Sequence, residues 1–316
     1  MNLLNITETA AFLSGCGSCL VYTHATPDGD TVGSGTALVL ALRAAGINAF
    51  AVNADGIPAK LDFLPTNGVF IEEPEDISAY TLISVDIASE RMLGSTRTRR
   101  FDLSIDHHKV NTVDCDRLLL MADKIAAGEI IYHLIKALGV EMTKDIAACL
   151  YTAICSDSGG FKYDLVTAET YRIAAETVET GIDFPEINRR LFECKTRTQI
   201  ALERLAYENL TFLCGGKYAV CAIPPEKAQE LSPADTDYDT LNNIPREIEG
   251  VLASAVVRKK NGVFKVSLRS NAAIDVSAIA AANGGGGHFH AAGFSLTGSF
   301  GNAVEAVKRI FTELEA

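Results

Sequence analysis

Apolar and polar positions in the first half of the chain alternate with two different periods. Short apolar runs rich in strand-forming residues include "CLVYTH", "INAFAVN", "TLISVDIA" and "FDLSIDHH". Between and after them come longer runs of helical length, such as "TVGSGTALVLALRAAG", "GEIIYHLIKALG" and "KDIAACLYTAICSD". Strands that alternate with helices in this way predict βαβ units and a mostly parallel sheet.

The second half of the chain has a different pattern. Residues 185–213 are helical in period and rich in charge, which favours a connector between two domains. Farther on, "VLASAVVRKKNGVFKVSLRS" contains two strand-like runs around Asn261-Gly262, a strong hairpin signal. "VSAIAAAN" and "GNAVEAVKRIFTELEA" predict a short helix and a closing helix. These elements indicate an α+β unit.

The length of 316 residues favours two domains, because a single core rarely grows beyond roughly 250–300 residues. We therefore predict an α/β fold with a Rossmann-like, parallel-sheet domain over residues 1–184. A helical linker over 185–213 would join it to a smaller α+β domain over 214–316.

Composition narrows the class of partners. The chain is 48% hydrophobic and 22% charged, as in ordinary globular proteins, and its formal net charge is −12. Proteins that grip long duplex nucleic acid by its backbone carry the opposite balance, so we expect no such partner. A short RNA or a small nucleotide stays compatible if metals or a local basic patch receive its phosphates.

The sequence shows neither a secretory pattern nor an apolar run of membrane-spanning length, so we expect a cytoplasmic protein without a membrane partner. Its eight cysteines should then be reduced thiols. Cys16 and Cys19 form a C-x-x-C pair, but this pair precedes a strand, whereas redox pairs of that type follow one. A structural role is therefore favoured.

Acidic residues and histidines gather where the apolar runs end. His24, Asp28 and Asp30 follow the first strand, in "THATPDGDTVGSG". The other members follow later runs and are Asp86, Asp106, His107, His108 and Asp157. Because ligands of open α/β sheets bind beyond the carboxyl ends of the strands, we expect several of these side chains to converge on one rim.

Such a cluster points to bound metal. Bare carboxylates in one site repel each other, and divalent cations are the simple remedy. Mixed histidine and carboxylate ligands suit Mn²⁺, Fe²⁺, Co²⁺ or Zn²⁺ better than Ca²⁺. So many ligands favour two ions, which can activate water and hold a phosphoryl group in line.

A dinucleotide fingerprint is the alternative interpretation of the same segment. Gly33-Ser34-Gly35 resembles half of it, and Asp55 lies about twenty residues farther on, as that motif requires. This interpretation is disfavoured, because Leu38 occupies the third glycine position and the two nearby aspartates would repel a pyrophosphate.

Taken together, these motifs resemble the DHH phosphoesterase superfamily, named for the triplet that stands here at 106–108. "HATPDGDTVGS", "VDIA", "IDHH" and "DSGGF" resemble its motifs I to IV in order. "SLRSN" and "GGGGHFHAAGF" resemble its DHHA1 substrate domain. The resemblance covers nearly the whole chain, and six ordered motifs make it specific.

The resemblance implies two divalent cations, usually Mn²⁺, and a division of roles. The residues implied as ligands of one ion are His24, Asp28 and Asp86. Those of the other ion are Asp30, Asp86, His107 and Asp157, with Asp86 bridging. His108 would face the scissile phosphate, since neighbouring histidines at a strand end tend to point apart. Asp106 would orient an imidazole.

In the second domain the resemblance implies substrate-binding residues, which are Arg269, His288, Gly285, Gly286 and Gly287. The glycines would let the backbone approach a phosphate or a base. Arg258 lies on the same predicted hairpin as Arg269, and arginine suits bidentate phosphate contacts. Lys259 and Lys260 are expected in a solvated turn.

Within the superfamily, the pattern is most similar to bifunctional enzymes that degrade nanoRNA to 5′-mononucleotides and dephosphorylate pAp. The motifs leave open a preference for cyclic dinucleotides or linear pApA. A non-catalytic nucleotide sensor would require lost ligands, and every proposed metal position carries a ligating residue. The oligomeric state, a homodimer included, stays open.

Overall fold

The structure is a computed structural model that describes residues 1–271 and 273–315. The side chains of Asp235, Thr236, Asp239 and His288 lie outside the described part. The chain divides into two compact units, Met1–Cys194 and Lys195–Ala316. The boundary falls inside the segment 185–213.

The first unit contains a six-stranded parallel sheet and six α-helices. Its strands are β1 (Asn2–Leu3), β2 (Ser18–Tyr22), β3 (Asn48–Val52), β4 (Thr81–Val85), β5 (Arg100–Asp106) and β6 (Asp114–Leu120). Its helices are α1 (Ile6–Ser14), α2 (Gly29–Ala44), α3 (Ala127–Ala137), α4 (Lys144–Asp157), α5 (Ala168–Glu179) and α6 (Phe184–Asn188). The strand order is β1-β6-β5-β4-β2-β3, and all five strand pairs are parallel, which confirms the predicted sheet.

Both faces of this sheet are buried, which explains why most of its strands are continuous apolar runs. Along β2, Cys19 and Val21 pack with α1 to α4 on one face. Leu20 and Tyr22 alternate with them and pack into a second core on the other face. The alternation follows from the two-residue period of a strand.

The strand order creates a crevice between β2 and β4. From β2 the chain moves to β3 on one side of the sheet, and it then returns to β4 on the other side of β2. The connection after β2 and the connection after β4 therefore lead away from each other, to opposite sides of the sheet. Open α/β sheets bind ligands at this point, beyond the carboxyl ends of the strands.

Helices α2 and α4 pack closely through glycine. A Cβ atom added to Gly33 would lie 2.4 Å from the carbonyl oxygen of Cys149 and 3.1 Å from the Cβ of Ala153. Gly29 meets Ser156 of α4 in the same way, at 2.5 Å. The Gly-Ser-Gly run thus gives Gly33 a packing role, which supports setting the dinucleotide interpretation aside.

The second unit contains a six-stranded mixed sheet. Its strands are β7 (Leu210–Leu213), β8 (Tyr218–Ala222), β9 (Ala253–Lys260), β10 (Val263–Ser270), β11 (Gly286–His288) and β12 (Ala291–Leu296). Its helices are α7 (Arg197–Glu208), α8 (Pro225–Glu230), α9 (Val276–Ala282) and α10 (Phe300–Glu313). The order is β11-β12-β10-β9-β8-β7, and β9 and β10 form the hairpin predicted at Asn261-Gly262.

The predicted helical connector needs a correction. Helix α7 packs into the core of the second unit through Leu202, Leu205 and Ala206. The chain then enters β7, which pairs antiparallel with β8. Charged residues on the outer face of α7 make its apolar face hard to recognise in the sequence. Strand β7 is hard to recognise because it has only four residues.

Two further observations concern the described residues as a whole. No helix among them combines the length and the apolar character that crossing a bilayer requires. The eight cysteines are free thiols, and Cys19 is buried at the start of β2.

Replacing Gly33 by alanine should lower the free energy of unfolding by about 1–3 kcal/mol, because the added methyl group overpacks the contact between α2 and α4. The cost should prevail over the gain of about 1 kcal/mol that alanine brings to a helix. Urea denaturation measures the change. Gly17→Ala is the matched control, since a Cβ there meets nothing within 4 Å; equal stability of the two variants would contradict the packing role.

Candidate metal centre

The first part of the cluster lies just beyond β2. His24 follows this strand by two residues, and its Nδ1 lies 2.9 Å from the carbonyl oxygen of Ala25. When Nδ1–H donates to that carbonyl, Nε2 is left as the free ligand atom. Nε2 lies 3.6 Å from Oδ1 of Asp28 and 3.4 Å from Oδ2 of Asp86.

Two aspartates at the start of α2 are held by backbone N–H groups. Asp28 is the N-cap residue, and its Oδ1 accepts two bonds of 3.1 Å from the first turn of α2. Asp30 reaches a different helix: its Oδ2 accepts from the N–H of Ala127 at 2.7 Å, and its Oδ1 from that of Gly128 at 3.0 Å. Ser34 also donates to Oδ1, at 2.7 Å. Asp30 therefore caps the N-terminus of α3 from α2.

Asp86 lies at the centre of the cluster. It follows β4 directly, is 2% exposed, and has a φ of 60°, a left-handed conformation that costs energy in a residue with a side chain. Its Oδ2 faces His24, and its Oδ1 lies 3.4 Å from Nε2 of His107. Oδ1 is buried and makes no hydrogen bond to the described residues. A buried carboxylate oxygen without a donor is suited to a cation.

The two histidines after β5 have different partners. The Nε2 atom of His107 lies 3.7 Å from Oδ2 of Asp30 and 3.5 Å from Oδ2 of Asp157, the last residue of α4. Its Nδ1 lies 3.3 Å from the carbonyl oxygen of Lys124. The ring of His108 is tilted by 55° relative to that of His107.

His108 is bonded to Asp106. Its Nδ1 lies 2.7 Å from Oδ1 of Asp106, which is fully buried and also accepts from the N–H of His107 at 2.9 Å. The amide of Asn111 donates to Oδ2 of Asp106 at 2.8 Å and to the carbonyl of Ile87 at 2.9 Å. Asp106 thus fixes the orientation of an imidazole rather than facing the centre of the cluster.

Three groups among the described residues bring their ligand atoms within 4.8 Å of one another, as a bound metal ion requires. They are His24, Asp28 and Asp86; Asp30, His107 and Asp157; and Asp86, His107 and His108. All the residues predicted for the metal centre therefore meet at the carboxyl ends of β2, β4 and β5. Asp157 joins them from the end of a helix.

The crowding of carboxylates in the cluster shifts the pKa values of its members. Burial opposes the charged forms of His24 and His107, but their carboxylate contacts outweigh burial and raise the pKa of each to about 11. Burial and the Asp86 charge raise the pKa of Asp30 to about 7. Burial and the neighbouring carboxylates also raise the pKa of Asp157. Without metal, protons on the imidazoles and on Asp30 reduce the repulsion between the carboxylates.

Asp86 shows the reverse shift. Burial opposes its ionisation, yet its contacts with His107 and His24 outweigh burial and hold its pKa below the ordinary value. In His108, burial is likewise outweighed, here by the bond to Asp106, and the pKa is raised. The donor set, two or three imidazoles with four carboxylates, fits divalent transition metals, which would take the place of the protons.

Sequence reasoning missed the groups that support these ligands. Asn111 could have been recognised from the sequence, because it lies five residues after Asp106 in a polar stretch between two strands. The carbonyl of Lys124 and the N–H groups of Ala127 and Gly128 could not, since backbone groups carry no sequence identity.

The residues predicted to contact substrate lie in the second unit. On β10, Arg269 is opposite Ala291 of β12, which is in turn opposite His288 of β11. Arg269 donates from Nη1 to the carbonyl of Leu268 at 2.9 Å. Arg258 of β9 stacks on Tyr238, with its guanidinium carbon 4.4 Å from the ring centroid. The side chain of His288 lies outside the described part.

The glycines at positions 285–287 differ in whether the structure requires glycine there. A Cβ at Gly285 would lie 2.1 Å from the carbonyl oxygen of Gly293, and one at Gly287 would lie 2.5 Å from the Cα of Ala292. Both positions therefore serve the pairing with β12. A Cβ at Gly286 would meet nothing within 4 Å, and its φ is ordinary. Of these three glycines, Gly286 is the one that the strand pairing does not require.

Metal affinity should rise with pH at all values below about pH 11, because each ligand imidazole must lose a proton before it binds a cation. The sign follows from the raised pKa values: at lower pH the imidazolium forms compete with metal. Each released proton should change the affinity about tenfold per pH unit.

Calorimetry with Mn²⁺ in buffers of different ionisation enthalpy counts the released protons. His24→Gln, which removes one imidazole, should release fewer of them. Binding without proton release in the wild type would contradict the assignment of these imidazoles as ligands.

Comparison with known proteins agrees with this geometry. Residues 18–154 match the DHH family, N-terminal domain, and residues 215–313 match the DHHA1 domain. The bifunctional oligoribonuclease and PAP phosphatase NrnA of Thermus thermophilus is 32% identical over 94% of this chain and 91% of its own length. A probable manganese-dependent inorganic pyrophosphatase of Exiguobacterium sp. is 27% identical over 82% of this chain and 84% of its own length.

A solved structure shares the fold. The crystal structure of an exopolyphosphatase-related protein from Bacteroides fragilis has a TM-score of 0.87 and 22% identity, and the match covers 98% of this chain and 95% of that one. With the two family matches and the relative in Thermus, the assignment is secure: the chain belongs to the DHH family, carries a DHHA1 domain after its DHH domain, and is a metal-dependent phosphoesterase.

Proposed function

We propose that this protein uses two Mn²⁺ ions to hydrolyse short oligoribonucleotides to 5′-mononucleotides, to dephosphorylate pAp, or to do both. The observation that carries the two-ion proposal concerns Asp86. Its Oδ2 faces His24 and its Oδ1 faces His107, and Oδ1 has no hydrogen-bond donor among the described residues. A carboxylate in this position is suited to bridge two cations.

The proposed ligands form two sets that share Asp86. One set is His24, Asp28 and Asp86. The other is Asp30, Asp86, His107 and Asp157. When bound, divalent cations lower the pKa of water and neutralise charge on a phosphoryl group. The backbone bonds that hold Asp28 and Asp30 fix these carboxylates before a cation arrives.

His108 is proposed to contact the scissile phosphate. Its Nδ1–H donates to Asp106, which fixes the orientation of the ring. A protonated Nε2 would donate to a phosphoryl oxygen and stabilise the charge that develops there. Asp106 favours this protonated form, and Asn111 holds Asp106 in place.

Three features support a short nucleotide as the substrate. The named activity of the Thermus relative is that of an oligoribonuclease and PAP phosphatase. On the second unit, Arg269 offers a guanidinium for a phosphate, and Gly286 leaves room beside the backbone. The net charge of −12 favours a short substrate over long duplex nucleic acid.

Asp86→Ala should reduce Mn²⁺-dependent hydrolysis of pAp and of a short RNA by about 100-fold or more, because it removes the carboxylate shared by both ligand sets. Initial rates on metal-stripped protein with added Mn²⁺ measure the effect. The matched control is Asp116→Ala, on β6 near the opposite end of the sheet, with circular dichroism to verify folding of both variants. Unchanged turnover in folded Asp86→Ala would refute the proposed centre.

Arg269→Ala should raise the KM for nucleotide substrates about tenfold, because a bidentate phosphate contact is lost. The control is Lys259→Ala, an exposed cation of β9 that lies opposite Phe264 of β10.

The same panel, with pAp, a short RNA, linear pApA and a cyclic dinucleotide, ranks the candidate substrates. Faster hydrolysis of the dinucleotides than of pAp and RNA would replace the proposed substrate and keep the proposed chemistry. Hydrolysis of pyrophosphate alone would overturn the assignment to nucleotides.

A further inference from the structure

A short segment between β6 and α3 holds two of the proposed metal ligands through its backbone. We name residues 121–128 the 121–128 segment. Its carbonyl at Lys124 lies 3.3 Å from Nδ1 of His107. Its N–H groups at Ala127 and Gly128 bond to both oxygens of Asp30, at 2.7 Å and 3.0 Å. Both ligands therefore depend on where this segment lies.

The side chain of Lys124 ties the segment to α5. Lys124 is 8% exposed, and its Nζ lies 2.6 Å from Oε2 of Glu169 in the first turn of α5. Oε1 of Glu169 lies 3.2 Å from Nε2 of His133 in α3. The ammonium group of Lys124 is largely buried and has Glu169 as its ion-pair partner, while the side chain of Glu169 is 44% exposed.

The segment is attached at other points as well. The N–H of Met121 donates to the carbonyl of Asp106 at 3.0 Å, and the side chains that follow Lys124 are apolar. Ile125 and Ala126 are buried against Ile154 of α4 and Ile173 of α5. Apolar packing is non-directional, so it fixes how deeply the segment is buried but not how the segment is oriented. The ion pair is directional, and it acts on the same residue whose carbonyl faces His107.

We propose that Lys124 and Glu169 are positioning residues for the cation held by Asp30 and His107. The ion pair fixes the 121–128 segment, and the segment then orients the imidazole of His107 and the carboxylate of Asp30 toward their common ion. Partners behind a ligand commonly change metal affinity by about 10–100-fold. This inference rests on the proposed metal assignment.

The test measures Mn²⁺ binding directly, by calorimetry and electron paramagnetic resonance on the full chain. Glu169→Gln should weaken one of the two ions about tenfold and leave the other unchanged, with a smaller effect on KM than on kcat. Lys124→Met removes the buried charge while keeping much of the side-chain volume, and it should weaken the same ion. It also provides a second variant if Glu169→Gln does not fold.

Glu176→Gln is the matched control. Glu176 lies two turns farther along α5 and pairs with Lys136 and Tyr132 of α3, at 2.8 Å each. It should leave both ions unchanged. Urea unfolding of the metal-free variants shows whether any loss of affinity exceeds the loss of stability that the control displays.

Two results would overturn the inference. One is unchanged affinity for both ions in folded Glu169→Gln and Lys124→Met. The other is an equal loss for both ions, which would indicate a general structural effect. A wild-type protein that binds no Mn²⁺ would overturn the proposed function itself, and the inference with it.

Discussion

Repulsion between buried carboxylates is the constraint on which the catalytic unit depends. Asp30, Asp86 and Asp157 meet at one crevice, where the imidazole of His107 lies within 3.7 Å of all three. Such a set is stable only with compensating positive charge, whether from protons or from metal. Helix N-termini and backbone N–H groups also stabilise several of the carboxylates by donating hydrogen bonds to them.

Sheet topology explains why residues far apart in the sequence meet there. The chain leaves β2 in one direction and returns to β4 on the other side, so the ends of these two strands open onto the same crevice. His24 and Asp86 occupy these ends, and the left-handed backbone at Asp86 turns its side chain into the cluster. The helix pair α2 and α4 adds Asp30 and Asp157, and close packing at Gly33 holds the two helices together.

Most of the architecture could be predicted from the sequence, because continuous apolar runs mark the strands of a sheet that is buried on both faces. Strand β6 could not, since it begins "DCDR", and β7 could not, since it is short and follows a charged helix. The proposed ligands could be predicted because charged residues at strand ends are conspicuous in the sequence. Their supports were invisible: a carbonyl at Lys124 or an N–H at Gly128 looks the same in any sequence.

Asp30 combines two duties that are usually separate. Both of its oxygens accept hydrogen bonds from the first turn of α3, so the residue that we propose as a metal ligand also joins two helices. A catalytically silent version of this protein, intended to trap a substrate for crystallography, should therefore leave Asp30 intact. Asp157 lies at the end of α4, and a quarter of its side chain is exposed. It is the better position for an inactivating substitution, because the contact between α2 and α3 would stay intact.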